Sequence, residues 1–318
     1  MRPPRWPRAT AHRRSVALGT TAWRCSCCRT TPPNRRRVRN EHLRVTPGPA
    51  DRSGRRCVVL MYHVIGMPAT EAERQWCCEP ERFHEQMRWL RESGHVPVNM
   101  DTVAAWLDGR GGLPQNAVCV TFDDGTRCLR ETALPILREF DMPATAYIVA
   151  GLLGADNDWL HAAGWSRRTL LDAVDLRALR DSAVTLGSHS LTHVDLSRVD
   201  NDAIRREVAD SRARLEDTLG TAVEHFAYPF GRVRQYAYDA VREAGYRTAA
   251  TVADGAVRRG DDPLLLSRVE VYNWDDLKRF SRKVRWGAAD PELRPRSLKR
   301  VARRLLQFGG LYRPRLPT

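Results

Sequence analysis

Four short stretches carry residues whose types and spacing could do chemistry: the lone His63, Thr121-Phe-Asp-Asp-Gly125, His189-Ser-Leu-Thr-His193 and Tyr228-Pro-Phe-Gly231. Asp123 and Asp124 are adjacent carboxylates that end an apolar run, where packing gives no reason for them. Taken alone, Asp-Asp-Gly also describes a solvated turn. His189 and His193 stand four apart, a spacing that lets two imidazoles reach one cation, although two solvent-facing histidines share the pattern. Two neutral imidazoles and one carboxylate leave an open coordination position. That donor set suits a catalytic divalent ion better than a sealed structural site.

These stretches need a frame to bring them together. Apolar, β-branched runs predict strands at 57–62, 96–100, 117–122, 144–149, 184–188, 224–228, 246–252 and 264–271. Helical spacing predicts helices at 81–91, 101–107 with Asp101 as its cap, 129–140, 169–180, 200–219 and 233–244, the last closed by Gly245. Strands alternating with helices imply a parallel sheet with helical crossovers, an α/β fold. Six or seven such units in about 220 residues suit a barrel better than a short open sheet. His63, Asp123-Asp124, His189 and Tyr228 all fall at predicted strand ends, where working residues collect in such folds.

Charge divides the 318-residue chain into three parts. Its net charge of +14 would suggest a nucleic-acid partner if it were uniform. Residues 1–56 carry +13 and residues 281–318 carry +9, so the body between them is acidic, at −8. No nucleic acid is expected at the site. Residues 1–56 are rich in Arg, Pro and Thr without periodicity and are expected to be disordered. Arg13-Arg14 faintly resembles a twin-arginine export signal, but the apolar stretch after it is short and broken, and an upstream extension explains it equally. No apolar stretch reaches the ~20 residues of a membrane span. Cell envelope and cytoplasm both stay open as compartments. Residues 297–308 form a basic amphipathic segment suited to peripheral contact with a membrane or an acidic polymer, or to a plain solvated helix. The eight cysteines fit neither a disulfide framework nor a four-ligand zinc pattern.

Thr121-Phe-Asp-Asp-Gly125, Ser188-His-Ser-Leu-Thr-His193 and Phe226-Ala-Tyr-Pro-Phe-Gly231 occur in the order and spacing of the polysaccharide deacetylases, the NodB-homology or carbohydrate esterase family 4 group. The resemblance spans about Val58 to Phe280 and implies a distorted (β/α) barrel of about seven parallel strands. Three parts follow: a tail at 1–56, a NodB-like domain at 57–280 and a basic, partly helical tail at 281–318. The resemblance further implies metal-dependent removal of N-acetyl groups from an amino-sugar polysaccharide or glycan. Asp124, His189 and His193 would bind the ion, most simply Zn²⁺, with Co²⁺ or Ni²⁺ as substitutes. Asp123 would be the general base, and the backbone N–H of Tyr228 would stabilise the oxyanion. Pro229, Phe230 and Gly231 of the same turn would touch substrate; apart from the resemblance, Trp159 in the loop at 151–168 offers an aromatic face to a sugar ring or equally closes a hydrophobic lid.

Two departures stand out. Relatives with the fuller pattern carry a late Leu-x-His whose imidazole protonates the leaving amine, and here no histidine follows His225. Leu266-Ser-Arg-Val269 occupies that region, and an arginine cannot deliver a proton at neutral pH. His63 is the replacement acid the sequence offers, though a packed core histidine fits equally. The arginine that orients the base in relatives also has no obvious counterpart, with Arg232 the nearest in sequence. Another amide hydrolase on the same scaffold, or a carbohydrate-binding homologue without activity, are the competing readings. The unligated Asp123 argues against the latter.

Overall fold

The computed structural model describes residues 54–161 and 163–288. The expected N-terminal tail, but for its last residues, and most of the expected C-terminal tail lie outside them. In chain order the elements are β1 (Arg56–Tyr62), β2 (Val64–Ile65), β3 (Cys77–Cys78), α1 (Pro80–Glu92), β4 (Val96–Val98), α2 (Met100–Leu107), β5 (Ala117–Phe122), α3 (Leu134–Glu139) and β6 (Ala144–Ile148). Then come α4 (Asp158–His161), α5 (Ala173–Arg180), β7 (Val184–Ser188), α6 (Asn201–Leu219), β8 (His225–Ala227), α7 (Gln235–Glu243), β9 (Thr248–Ala250), β10 (Val257–Arg258), β11 (Val269–Glu270) and α8 (Leu277–Trp286).

The sheet is curled and mostly parallel, ordered β10-β1-β5-β6-β7-β8-β9, with β4 beside β5 and β11 beside β1. This is the expected distorted barrel, with one exception: β10 runs antiparallel to β1. Residues 266–270 reach both edges of the curl. Leu266 makes a parallel bridge to Ala250 at the end of β9, and Leu60 and Met61 of β1 pair with Val269 and Glu270. The predicted strand at 264–271 is therefore a seam, and only two of its residues form a ladder.

Alternation along β1 and β5 sorts their side chains onto two faces. Val58, Leu60, Val118 and Val120 pack into the large core under the helices. Cys57, Val59 and Cys119 pack inside the curl with Val98, Trp106 and Leu266. Every residue of β5 is buried, which explains its nearly continuous apolar run. On α6, Ile204, Val208, Ser211 and Leu215 form the buried stripe that their spacing predicts, and the Asp200 side chain caps the helix by accepting from Ala203 N–H.

Several boundaries differ from expectation; the helix expected over 169–180, for one, begins at Ala173. Asn99, and not Asp101, caps α2 by accepting from Thr102 N–H, because Asp101 is engaged by Thr185 and His225. The helix expected over 129–140 opens with a wide π-turn at Leu129–Ala133 before α3. The boundary expected after residue 280 falls inside α8, whose Phe280, Lys283 and Val284 are buried.

Candidate active site

Both aspartates stand just beyond the C-terminal end of β5. Asp123 N–H still continues the ladder by donating to Tyr62 O at 2.9 Å. Asp124 and Gly125 then adopt left-handed φ values of 69° and 71°, which turns the chain sharply and leaves both carboxylates buried. A side chain at Gly125 would meet Ile148 Cδ1 at 3.0 Å as well as that backbone strain. Ser190 (67°), His193 (61°) and Phe230 (57°) are also left-handed. Each such non-glycine residue costs roughly 1–3 kcal/mol, and strain of this kind gathers where geometry serves function.

The histidines arrive on the loop after β7. His189 donates its Nδ1–H to Ala227 O at 2.8 Å, which turns the Nε2 lone pair toward the carboxylates. Nε2 lies 3.6 Å from Asp124 Oδ1 and 3.9 Å from Asp123 Oδ2. His193 Nε2 lies 3.2 Å from Asp124 Oδ1. Glu207 of α6 shapes this loop, accepting from the N–H groups of Leu191 and Thr192 at 3.0 and 2.8 Å and from the Thr192 hydroxyl at 2.5 Å. The His193 ring is stacked on Trp159 (centroids 4.8 Å, 23°) and met edge-on by Phe230 (4.8 Å, 74°). Gly231 allows that turn, since a Cβ there would lie 2.3 Å from Val252 Cγ2.

This cluster fits a cation. The donor atoms of Asp124, His189 and His193 all lie within 4.8 Å of one another, and all three residues are buried. Burial holds the His189 imidazolium value down at about 4, so the ring is neutral at physiological pH. Burial alone would raise Asp124, but the hydrogen bond from His193 and the surrounding imidazoles hold it below the ordinary carboxylate value. Two imidazole nitrogens around one carboxylate, at separations mostly too long for good hydrogen bonds, form a three-donor set with an open side. A second trio, Asp101, Glu224 and His225, lies where β8 begins. It is already satisfied internally: Thr248 and Asp101 take the two His225 nitrogens, and Arg247 pairs with Glu224.

Asp123 stands beside the trio with a partner of its own. Arg268, in the seam between β9 and β11, grips it with Nη1 at 2.6 Å from Oδ1 and Nη2 at 2.8 Å from Oδ2. The guanidinium is only 1 % exposed, donates its Nε–H to Thr251 O at 3.0 Å, and lies 5.5 Å from the Tyr147 ring centroid. Burial would raise the Asp123 carboxyl, but Arg268, with smaller help from His189 and His63, keeps it below the usual range. An arginine with no visible counterpart in the sequence motifs therefore grips Asp123. Arg232 is elsewhere, paired with Asp195.

Tyr228 departs from expectation. Its N–H continues the sheet, donating to Ala250 O at 3.0 Å, so it cannot also serve an oxyanion. Its ring is buried in the main core. Pro229 has no N–H, and the Phe230 N–H is the next one in the turn. His63 lies beyond β1, half-buried, with its ring edge-on to Trp76 at 4.8 Å, and its charge would act on both Asp123 and Asp124. The structure thus brings His63, Asp123, Asp124, His189, His193, Phe230 and Trp159 to one end of the barrel. Sequence reasoning missed Arg268, Glu207 and Trp76. A charged residue inside the apolar run 264–271 was the available signal for Arg268.

The family profile described as polysaccharide deacetylase matches residues 110–249. This matched segment is similar to the polysaccharide deacetylase family. It contains Asp123, Asp124, His189, His193 and the 228–231 turn, while His63 and Arg268 lie outside it. The poly-β-1,6-N-acetyl-D-glucosamine N-deacetylase of Escherichia coli is 26 % identical over 260 residues, which cover 71 % of this chain and 38 % of that protein. Among solved structures, the deacetylase PplD of Streptococcus pyogenes, in complex with acetate, superposes with a TM-score of 0.63 at 21 % identity, covering 75 % of this chain and 99 % of that one. IcaB of Ammonifex degensii gives 0.63 at 24 % identity, covering 74 % and 97 %. At these identities the solved structures establish a shared fold.

Proposed function

We propose that the protein is a metal-dependent hydrolase that removes N-acetyl groups from an amino-sugar polysaccharide or glycan. The observation that carries this reading is the buried Arg268–Asp123 fork beside the Asp124–His189–His193 trio. A protein that only bound sugar through an ion would have no use for a second, unligated carboxylate held ionised by a buried arginine. Asp124, His189 and His193 would hold a divalent ion, Zn²⁺ by the simplest match of donors, which when bound supplies Lewis acidity toward the amide carbonyl.

The remaining steps belong to the chain. Asp123, kept ionised and fixed by Arg268, accepts the proton of the attacking water, a contribution of ~10²–10⁴-fold. With Tyr228 N–H committed to the sheet and Pro229 lacking one, Phe230 N–H is the donor we assign to the oxyanion that develops on the carbonyl oxygen. His63 delivers a proton to the departing amine, which is too poor a leaving group to go without one. Trp159 and Phe230 flank the buried His193 ring on two sides.

The test is acetate release from N-acetylglucosamine oligomers by purified protein with added Zn²⁺ or Co²⁺. The expected result is stoichiometric acetate and free amine, abolished by a chelator and by Asp123→Asn. Acetate absent from sugar amides, with hydrolysis of another amide retained, would reassign the substrate class.

A further inference from the structure

A second aromatic feature extends outward from His63, on residues that the proposed chemistry does not use. His63 meets Trp76 at 4.8 Å, Trp76 meets the Tyr272 ring at 6.1 Å, and Tyr272 stacks on Trp274 at 5.0 Å and 27°. The series ends at the surface, with Trp274 41 % exposed. Both faces of Tyr272 are occupied, one by Trp274 and the other by the Lys283 ammonium, 4.3 Å from the ring centroid. One indole face of Trp274 therefore rests on Tyr272, and the ring keeps its exposure to solvent.

That exposed ring is held in place. Buried Asp275 accepts from Tyr272 N–H at 2.8 Å and pairs with buried Lys283 of α8. Asn273 donates its N–H to Gln75 O at 3.2 Å and its side-chain amide to Cys77 O at 3.1 Å, fastening the loop to the segment that carries Trp76. An exposed tryptophan on a loose loop would fold back onto apolar surface. Here a buried ion pair and several hydrogen bonds keep it outward, so its binding geometry is organised in advance.

The geometry points to Trp274 as a stacking platform for a pyranose ring of the same glycan, beyond the sugar whose amide reacts. The proposal rests on the deacetylase reading for the identity of the ligand. A pyranose presents C–H groups on its faces and hydroxyls at its rim. An aromatic plane backed by a second ring offers area for the former and leaves the latter in water. Continuity with His63 places the platform along one strand of substrate leading from the reacting centre.

The experiment compares wild type, Trp274→Ala and Trp274→Phe on N-acetylglucosamine and on its pentamer, by kinetics and by calorimetric binding to the Asp123→Asn background. Trp274→Ala is expected to raise KM and Kd for the pentamer by about three- to tenfold, leaving kcat and the monosaccharide constants unchanged. Trp274→Phe should recover most of the loss. Pentamer and monosaccharide affected alike, or neither affected, would overturn the platform while leaving the deacetylase reading intact. Pentamer binding that falls with Trp274→Ala in a protein that releases no acetate would keep the platform and overturn the activity. A wild type that neither binds nor hydrolyses the pentamer overturns both.

Discussion

Arg268 and Asp123 meet through two parallel bonds, 2.6 and 2.8 Å, across 145 residues of chain. A bidentate fork fixes the carboxylate in position and orientation together, which a single ammonium cannot do. Arg268→Lys is expected to keep the fold and the bound metal but to lower kcat about 10²-fold, the scale of loss from a base displaced by an ångström. Arg268→Met leaves a buried carboxylate without its counter-charge and should also destabilise by about 3–5 kcal/mol. Steady-state kinetics with thermal melts separates the two. Full activity in Arg268→Lys would show that charge suffices and the fork does not matter.

The two neighbouring aspartates are expected to fail differently. Asp123→Asn should retain stoichiometric divalent metal and lose turnover by ~10²–10⁴-fold. Asp124→Asn, His189→Ala and His193→Ala should lose the metal itself. Elemental analysis of dialysed proteins checks this, and unchanged metal in all three ligand variants removes the trio as the site.

His63→Ala should lower kcat strongly on an amide and much less on an activated ester, whose leaving group departs without a proton. Equal losses on both substrates would leave His63 as a packing partner of Trp76.

Glu73 makes stability depend on pH. Its buried carboxylate accepts from Ala69 N–H at 2.5 Å, Thr70 N–H at 3.0 Å, Ser166 Oγ at 3.0 Å and Arg168 Nε at 2.9 Å, tying the segment before Trp76 to the loop before α5. Burial raises its carboxyl, and these donors, Arg168 foremost, lower it further than that, to below the ordinary value. A depressed carboxyl contributes stability that is complete above its unfolded value of about 4.3 and is lost as pH falls through the folded value. Glu73→Gln is therefore expected to lower Tm by several degrees at pH 7, on the scale of about 1.5–3 kcal/mol for hydrogen bonds to a charged group. The gap should narrow steadily below pH 4. A gap that is constant with pH would mean that Glu73 acts through shape alone.

The sequence announced some of these residues and concealed others, for physical reasons. Asp123, Asp124, His189 and His193 are legible because polar side chains at the end of an apolar strand have no packing role. The strands and α6 are legible through alternation and helical spacing. Arg268 is concealed because its partner is far away in sequence and its own neighbours Leu266 and Val269 look like ordinary strand. The role expected for Tyr228 N–H fails through register: with β8 beside β9, that N–H faces Ala250 O, and only the pairing could reveal it. Trp274 sits in a turn whose fastening comes from Gln75, Cys77 and Lys283, none of which lies next to it in sequence.

The seam at 266–270 also sets a timetable. The donors of the trio beside Asp123 lie between residues 124 and 193, whereas the guanidinium that grips Asp123 lies at 268. As the chain leaves the ribosome, the ion's ligands emerge first and the base's partner about 75 residues later, a delay of seconds at ordinary rates of synthesis. Until the last segment joins β1 to β9, Asp123 stands at a strand end with no counter-charge. On the proposed reading, hydrolytic competence would be deferred to the step that finishes the barrel, and a chain interrupted before that step would carry the Asp124–His189–His193 trio without an oriented Asp123.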